Sequence, residues 1–262
     1  MISSNAETIQ KSFTEQAKTF ETKSMCFTKQ EYLKHMVSSV NPKGSDTVLE
    51  VAAGTCICGR SLAPFVQSVI CLDMTPAMLE VGKDKAEKQG LRNINFVQGD
   101  AEKLPFLDNS FDLVISRLAF HHFPHPKRCF SEMARVLKAG GKLVIIDMEA
   151  AKEELRNTED EIEVLRDPSH IRNLSKEEFT AMFREEHLTV TEVDVTEIPV
   201  SLSAWMALTN TPAKISADIS KCFAKEIRGN DLTGFNPYQK DGEIYFNQRW
   251  VMIIGEKKNN GG

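Results

Sequence analysis

The sequence predicts an α/β protein built on a mostly parallel sheet covered by helices, and three observations carry that prediction. From Thr47 to Ile254, short β-branched runs alternate with amphipathic stretches, the order that parallel strands with helical crossovers require. The strand-like runs are short and apolar, as strands buried on both faces are. The first of them ends in a small-residue turn, Ala52-Ala53-Gly54-Thr55, and the next two each close on an aspartate, Asp73 and Asp100.

Size and composition fit one such domain. A chain of 262 residues with 41% hydrophobic and 26% charged side chains buries roughly 70–75% of its unfolded surface on folding, enough for one α/β core with additions. The net charge of -5 supplies no diffuse basic field, so neither nucleic-acid binding nor attachment to an anionic membrane is expected as the main activity. No apolar run is long enough to span a bilayer, and the first twenty residues lack the apolar segment of a secretory signal. No membrane insertion and a cytoplasmic location are the expectations. The six cysteines are scattered through a chain that does not need covalent staples, and read as reduced thiols.

Taken in order, strands are expected at Thr47 to Ala52, Val69 to Asp73, Ile94 to Gln98, Phe111 to Ser116 and Lys142 to Asp147. Thr75 as N-cap, Pro76 at the first helical position and Gly90 beyond the end delimit one helix. A second runs from Lys127 to Lys138 with Phe130, Met133, Ala134 and Leu137 on its core face, stopped by Gly140 and Gly141. The charged stretch Glu149 to Arg166 reads as helix, broken at Asp167 and Pro168. Ser175 and Glu178 form a capping box for a helix to His187. Thr189 to Glu197 alternates as a strand does, Ser201 to Arg228 is helical with Ile215, Ile219, Phe223 and Ile227 on one packing stripe, and Tyr245 to Ile254 is the last strand. Lys257 to Gly262 reads as a frayed tail.

The residues that carry chemistry lie where these strands end. A small-residue turn from strand to helix lets a ligand approach the backbone. About twenty residues after Gly54, Asp73 stands where a carboxylate accepts bonds from both hydroxyls of a ribose. Asp100 closes the third strand, placed for an adenine amino group, with Gly99 allowing close approach. All three turns share one sheet edge, the ligand crevice of open α/β folds. A pyrophosphate site wants G-x-G-x-x-G, whereas here Glu50 precedes Ala52-x-Gly54-x-Cys56. An anion beside the turn repels pyrophosphate and suits the ammonium of an amino-acid moiety, which favours S-adenosylmethionine over a nicotinamide dinucleotide. No G-x-x-x-x-G-K-[ST] phosphate loop is present.

Five segments together resemble the successive motifs of class I S-adenosylmethionine-dependent methyltransferases, most closely the UbiE-like group: VLEVAAGT (48–55), LDMTPAML (72–79), QGDAEKLPF (98–106), FDLVISR (111–117) and ARVLKAGGKL (134–143). The resemblance covers residues 46–148. It implies a Rossmann-like seven-stranded sheet in the order 3-2-1-4-5-7-6, with the seventh strand antiparallel, flanked by helices. It also implies a cofactor held by Glu50, Ala52, Gly54, Thr55, Cys56, Asp73, Met74, Met78, Gly99, Asp100, Ala101 and Arg117, with the methionine part on the turn, the ribose on Asp73 and the adenine near Met74, Asp100 and Ala101. Ala52 and Cys56 stand where the family usually has its first and third glycines. The expected plan is a single domain: an N-terminal helical lid over 1–40, a cofactor-binding core over 41–148, the rest of the core at 149–200 and 243–256, and a helical cap at 201–242.

The acceptor side is expected after the fourth strand, in Ser116 to Pro126. His122 and His121 are the candidate bases there, and structural caps are the alternative for both. The Asn/Asp-Pro-Pro-Tyr/Phe tetrapeptide of many amide and adenine N-methyltransferases is absent. Cys56 and Cys58 lack the second pair that a zinc site needs, so no metal is expected. Leu165-Arg166-Asp167-Pro168-Ser169-His170 recurs among UbiE-like relatives; it reads as a helix stop, with His170 a candidate to reach the pocket. The aromatic residues Phe13, Phe20, Phe27 and Tyr32 near the N-terminus, with Met25 among them, suit either a lid or simple packing. The leading expectation is methyl transfer to a small-molecule acceptor. A macromolecular acceptor and a noncatalytic S-adenosylmethionine-binding protein are the alternatives.

Overall fold

The computed structural model describes residues 5–23, 28–150, 152–229 and 233–258. Its strands are β1 (Thr47–Val51), β2 (Ser68–Asp73), β3 (Ile94–Gln98), β4 (Phe111–Arg117), β5 (Leu137–Glu149), β6 (Leu188–Ser201), β7 (Tyr238–Lys240) and β8 (Glu243–Lys257). The helices are α1 (Asn5–Gln16), α2 (Phe20–Lys23), α3 (Gln30–Val40), α4 (Ile57–Leu62), α5 (Pro76–Lys88), α6 (Pro126–Val136), α7 (Arg156–Arg166), α8 (Lys176–Glu185), α9 (Leu202–Leu208) and α10 (Ala213–Ile227), with short 3-10 turns between some of them.

These strands form one sheet in the order β3-β2-β1-β4-β5-β8-β6, with the short β7 hydrogen-bonded to β8. β1 to β5 pair in parallel, and β8 runs antiparallel to β5 and β6. With β7 set aside this is the expected seven-stranded order with its last strand in sequence reversed. The order turns back between β1 and β4, and in such sheets the crevice for a ligand opens at the carboxyl ends beside that point.

Alternation along β5 assigns its side chains to opposite faces. Leu143 and Ile145 join Phe130 and Met133 of α6 and Phe179 and Phe183 of α8. Val144 and Ile146 join Met36 of α3, Leu62 of α4 and Leu79 of α5. A third cluster lies against the ends of β5, β6 and β8, where Ile219 and Phe223 of α10 pack with Trp205, Phe235, Phe246 and Trp250. Ile215 is partly buried against it, so the predicted stripe of α10 is packing surface.

Several boundaries differ from the sequence reading, each for a local reason. Glu149 ends β5, and α7 starts only at Arg156. α6 stops at Val136, and Gly140 and Gly141 lie within β5, whose register against β4 shifts there. A Cβ at Gly141 would sit 2.9 Å from the Asp112 carbonyl, so glycine permits the close approach of β4. Asp241 and Gly242, both at positive φ, join β7 to β8, the backbone that a two-residue hairpin prefers; that strand was not expected. Lys257 belongs to β8, and its ammonium donates to the carbonyls of Ala134 and Leu137 at 2.8 Å each, meeting free carbonyls at the end of α6; residues 259–262 lie outside the described residues. The capping box of Ser175 and Glu178 forms as expected.

Candidate active site

The β1–α4 turn is held by carboxylates that come from strands. Asp73 Oδ2 accepts the Gly54 N–H at 2.7 Å and Oδ1 accepts the Thr75 N–H at 2.8 Å. Thr75 is the N-cap residue as expected, but its hydroxyl makes no capping bond, and Asp73 holds the start of α5 instead. Glu50 accepts the Cys58 and Gly59 N–H groups at 3.2 and 2.7 Å, meeting two of the free amides at the N-terminus of α4. It also accepts the Cys71 thiol at 3.5 Å. Burial pushes both carboxyls above their ordinary pKa, and the N–H bonds partly offset it.

Ala52, Gly54 and Cys56 all have φ between 53 and 61°, left-handed backbone that costs a side-chain-bearing residue roughly 1–2 kcal/mol. The three positions at which the motif prefers glycine are thus positions whose conformation prefers it. No atom comes within 4 Å of a Cβ built on Gly54, whereas one on Gly99 would meet Leu72 Cδ1 at 2.7 Å. Gly99 therefore makes room for the core as well as for a ligand.

A cavity of about 1180 Å³ opens over this turn. Glu50, Ala52, Gly54, Thr55, Asp73, Met74, Met78, Gly99, Asp100, Ala101, Arg117, His121 and His122 all border it. Cys56 does not: it is fully buried and its thiol contacts the Gly54 carbonyl at 3.6 Å. The left-handed turn carries the Cys56 side chain into the core rather than into the cavity. The hydroxyls of Thr55 and Thr75, on residues bordering the cavity, are buried and have no hydrogen-bond partner.

The two histidines lie in a short 3-10 turn, Phe120–His122, fixed by a residue whose role was not anticipated. Asp147, near the end of β5, accepts the Ala119 and Phe120 N–H groups at 3.0 and 2.7 Å and pairs with His121 Nδ1 at 2.6 Å. Its signal in the sequence is the one that marked Asp73 and Asp100, an acid closing a strand. Burial alone lowers the His121 pKa, but the Asp147 charge and hydrogen bond, with the charges of Glu163 and Asp167, together outweigh it and the net shift is upward. Burial likewise raises Asp147, and the His121 charge and hydrogen bond together with the Met148 and Phe120 N–H groups overcome it, leaving that carboxyl below its ordinary value.

His122 differs. Its Nδ1 lies 2.9 Å from the Ser169 carbonyl, so the neutral ring donates from Nδ1 and keeps its lone pair on Nε2. Burial and the neighbouring His121 charge push its pKa down to about 3. The Arg166-Asp167-Pro168-Ser169-His170 segment thus has a structural task. It docks on the histidine turn, where the Ile171 N–H also donates to the His121 carbonyl at 2.8 Å. Arg166 and Asp167 border the cavity. His170 pairs with Asp160 at 2.8 Å and does not border the cavity, so of the two readings of this segment the helix stop fits and access of His170 to the pocket does not.

Walls come from both ends of the chain. Ile9, Phe13 and Gln16 of α1, Phe20 of α2, and Trp205 and Leu208 of α9 border the cavity, and the Phe13 ring stands edge-on to His122 at 5.1 Å. Glu21 ties the N-terminal segment down through Arg60 at 2.5 Å and Lys85 at 3.0 Å. No residue of α10 borders the cavity; this helix buttresses α9 from behind. Tyr32 packs on Trp250, and Met25 and Phe27 lie outside the described residues. Among the described residues no helix is long and apolar enough to cross a membrane.

Two substitutions test this geometry. A Cβ at Gly82 would meet Cys56 Sγ at 2.8 Å and the Thr55 carbonyl at 3.0 Å, so Gly82→Ala should destabilise the protein. In a Cys56→Gly background that cost should fall by about 1 kcal/mol or more, because the thiol is gone. Denaturant unfolding of the four proteins measures it, and equal costs in both backgrounds would contradict the packing. Asp147→Asn should lower the His121 pKa below ~6.5, read by NMR titration, and cost about 3 kcal/mol of stability. The raised His121 contributes fully below ~6.5 and fades as pH rises through its folded pKa. The depressed Asp147 contributes fully above ~3.9 and is lost as pH falls through its folded value. The stability gap to wild type is therefore widest between about pH 4 and 6.5; a gap independent of pH would refute the pairing.

Comparison with known proteins agrees with this architecture. Residues 49–145 match the methyltransferase domain family Methyltransf_11. The methyltransferase YcgJ of Bacillus subtilis is 35% identical over 71% of this chain and 74% of its own length. Its crystal structure superposes with a TM-score of 0.79, covering 88% of this chain and 99% of that one at 30% identity. A methyltransferase structure from Bacillus halodurans, BH2331, gives a TM-score of 0.80 at 29% identity, covering 87% of this chain and all of its own. The ubiquinone/menaquinone biosynthesis C-methyltransferase UbiE of Ectopseudomonas mendocina is 38% identical over 42% of this chain and 44% of its own length. With a strand order, a cofactor turn and relatives that all agree, the chain belongs to the class I S-adenosylmethionine-dependent methyltransferases, in the UbiE-like group.

Proposed function

We propose that the protein methylates a small, largely apolar acceptor that enters the same chamber as the cofactor and is deprotonated by His121. The observation that carries this reading is the chamber itself. At about 1180 Å³ it exceeds the roughly 300–1,000 Å³ of a pocket for one drug-sized ligand, and it runs from the β1–α4 turn past the histidines to α9. Walls from α1 and α9 suit a small molecule that is enclosed, rather than a side chain presented by a macromolecule.

The residues present fit S-adenosylmethionine. The partnerless hydroxyls of Thr55 and Thr75 and the open space at Gly54 belong to the cofactor end, where Asp73 would take the ribose and Met74, Asp100 and Ala101 the adenine. Arg117, stacked over Trp250 at 5.0 Å, would meet the carboxylate end of the cofactor's methionine part. Glu50 already holds α4, so any contribution to the ammonium comes from its remaining lone pairs. Bound there, S-adenosylmethionine supplies a methyl carbon activated by its sulfonium for in-line displacement. The chain's own part is alignment at about 3–3.5 Å and exclusion of water.

Oriented by Asp147, His121 removes the proton of an acidic O–H or C–H on the acceptor. His122 stays neutral and shapes the wall. Of the two candidate histidines this reading selects His121, because of the two only His121 has a carboxylate paired with its ring. The UbiE relatives make a phenolic or quinone-type acceptor the first class to try.

The experiment is turnover to S-adenosylhomocysteine with a panel of phenols, naphthols and quinols. His121→Gln should lower kcat about 10²–10⁴-fold for acceptors with an acidic O–H while cofactor affinity is unchanged. The wild-type rate should rise with pH through a pKa above ~6.5, because the base must be unprotonated. Full activity of His121→Gln would remove the base assignment.

A further inference from the structure

Methyl transfer and the His121–Asp147 pair leave two cavity-lining side chains without a task. Arg166 ends α7, and its Nε and Nη2 donate to Glu163 Oε2 at 2.9 and 2.7 Å. Its guanidinium lies 4.5 Å over the Trp205 ring. That ring is fixed in turn by Phe246 at 5.1 Å and Phe235 at 5.3 Å. Arg166 is 6% exposed and Trp205 4% exposed, yet neither Arg166 Nη1 nor Trp205 Nε1 has a hydrogen-bond partner. Both residues border the chamber.

Two buried donors left unmet on stacked side chains are unfavourable. Pairing with Glu163 accounts for the Arg166 charge but not for its free Nη1, and packing gives no reason for an indole N–H at 205, where a phenylalanine would fill much of the same space. Glu163, 1% exposed, already balances the Arg166 charge, so an incoming oxygen need not be ionised, and a full anion would add net charge to a buried site. Next to Trp205 on the same chamber, α9 also presents Ala204 and Leu208.

We infer that Arg166 and Trp205 form a recognition station for a neutral carbonyl oxygen on a planar apolar acceptor. The station supplies N–H donors to that oxygen and so fixes which edge of the acceptor faces the histidine turn. The inference rests on the reading of the chamber as an acceptor site. Both residues act here in recognition and neither takes part in proton transfer.

The test is calorimetric titration of the full-length protein, saturated with S-adenosylhomocysteine, with 2-acetylnaphthalene, its hydrocarbon analogue 2-isopropylnaphthalene and 2-naphthoate. The ketone should bind at least about tenfold more tightly than the hydrocarbon. Trp205→Phe, which keeps the ring and removes the N–H, should cut ketone affinity roughly three- to tenfold and leave the hydrocarbon unchanged. Arg166→Lys, which keeps the charge beside Glu163, should do the same. Equal affinity for ketone and hydrocarbon, no binding of the ketone, or variants that weaken both probes alike would overturn the proposal. Tighter binding of naphthoate than of the ketone would make the station an anion site and overturn it too. Binding of S-adenosylhomocysteine is measured first: its absence would count against the methyltransferase chamber, while the difference between ketone and hydrocarbon is read separately on the protein alone.

Discussion

Backbone N–H groups left free where the parallel strands end are the constraint on which the site depends. A turn or helix start buried over a sheet edge leaves such donors out of water's reach, and each must find a partner. Here the partners are carboxylates carried on the strands themselves. Asp73 takes Gly54 and Thr75, Glu50 takes Cys58 and Gly59, and Asp147 takes Ala119, Phe120 and Met148. Hydrogen bonds to charged groups are worth about 1.5–3 kcal/mol each, enough to offset much of the cost of burying the carboxyl. Three loops are thereby held in place by the sheet before any ligand arrives.

That arrangement sets the chemistry. The Asp73 and Glu50 bonds hold a turn in which Ala52 and Cys56 carry left-handed backbone, and the open space at Gly54 lies over it. Asp147 holds the histidine turn through its amides and, with the same carboxylate, raises the His121 pKa. Methyl transfer asks the protein chiefly for alignment and dryness. A fixed sheet edge supplies the first, and α1, α2 and α9 supply walls for the second.

The sequence showed the parts whose signal is local. Five apolar runs located β1 to β5, and the aspartates closing β2 and β3 pointed to the ligand edge. What it could not show depends on contacts between distant segments. Asp147 was visible only as the end of a strand, since its partner His121 lies twenty-six residues earlier. The Arg166 to His170 segment had no readable role until the structure docked Ser169 on His122, forty-seven residues away. Gly99 read as a concession to a ligand, but the nearest obstruction is Leu72, fixed by core packing. Asp241-Gly242 was a local hairpin signal that a long helical segment before it obscured. The direction of the Cys56 side chain was not legible, because it depends on the positive φ of that residue.

Calorimetric titration of S-adenosylmethionine into the wild type and into Asp73→Asn tests the central claim most directly, because that carboxylate both shapes the turn and faces the cavity. The account predicts one cofactor per chain in the wild type. In the variant it predicts affinity lower by at least about tenfold, ~1.4 kcal/mol, with folding retained through the amide's one remaining acceptor oxygen. Unchanged affinity in a folded variant would contradict it.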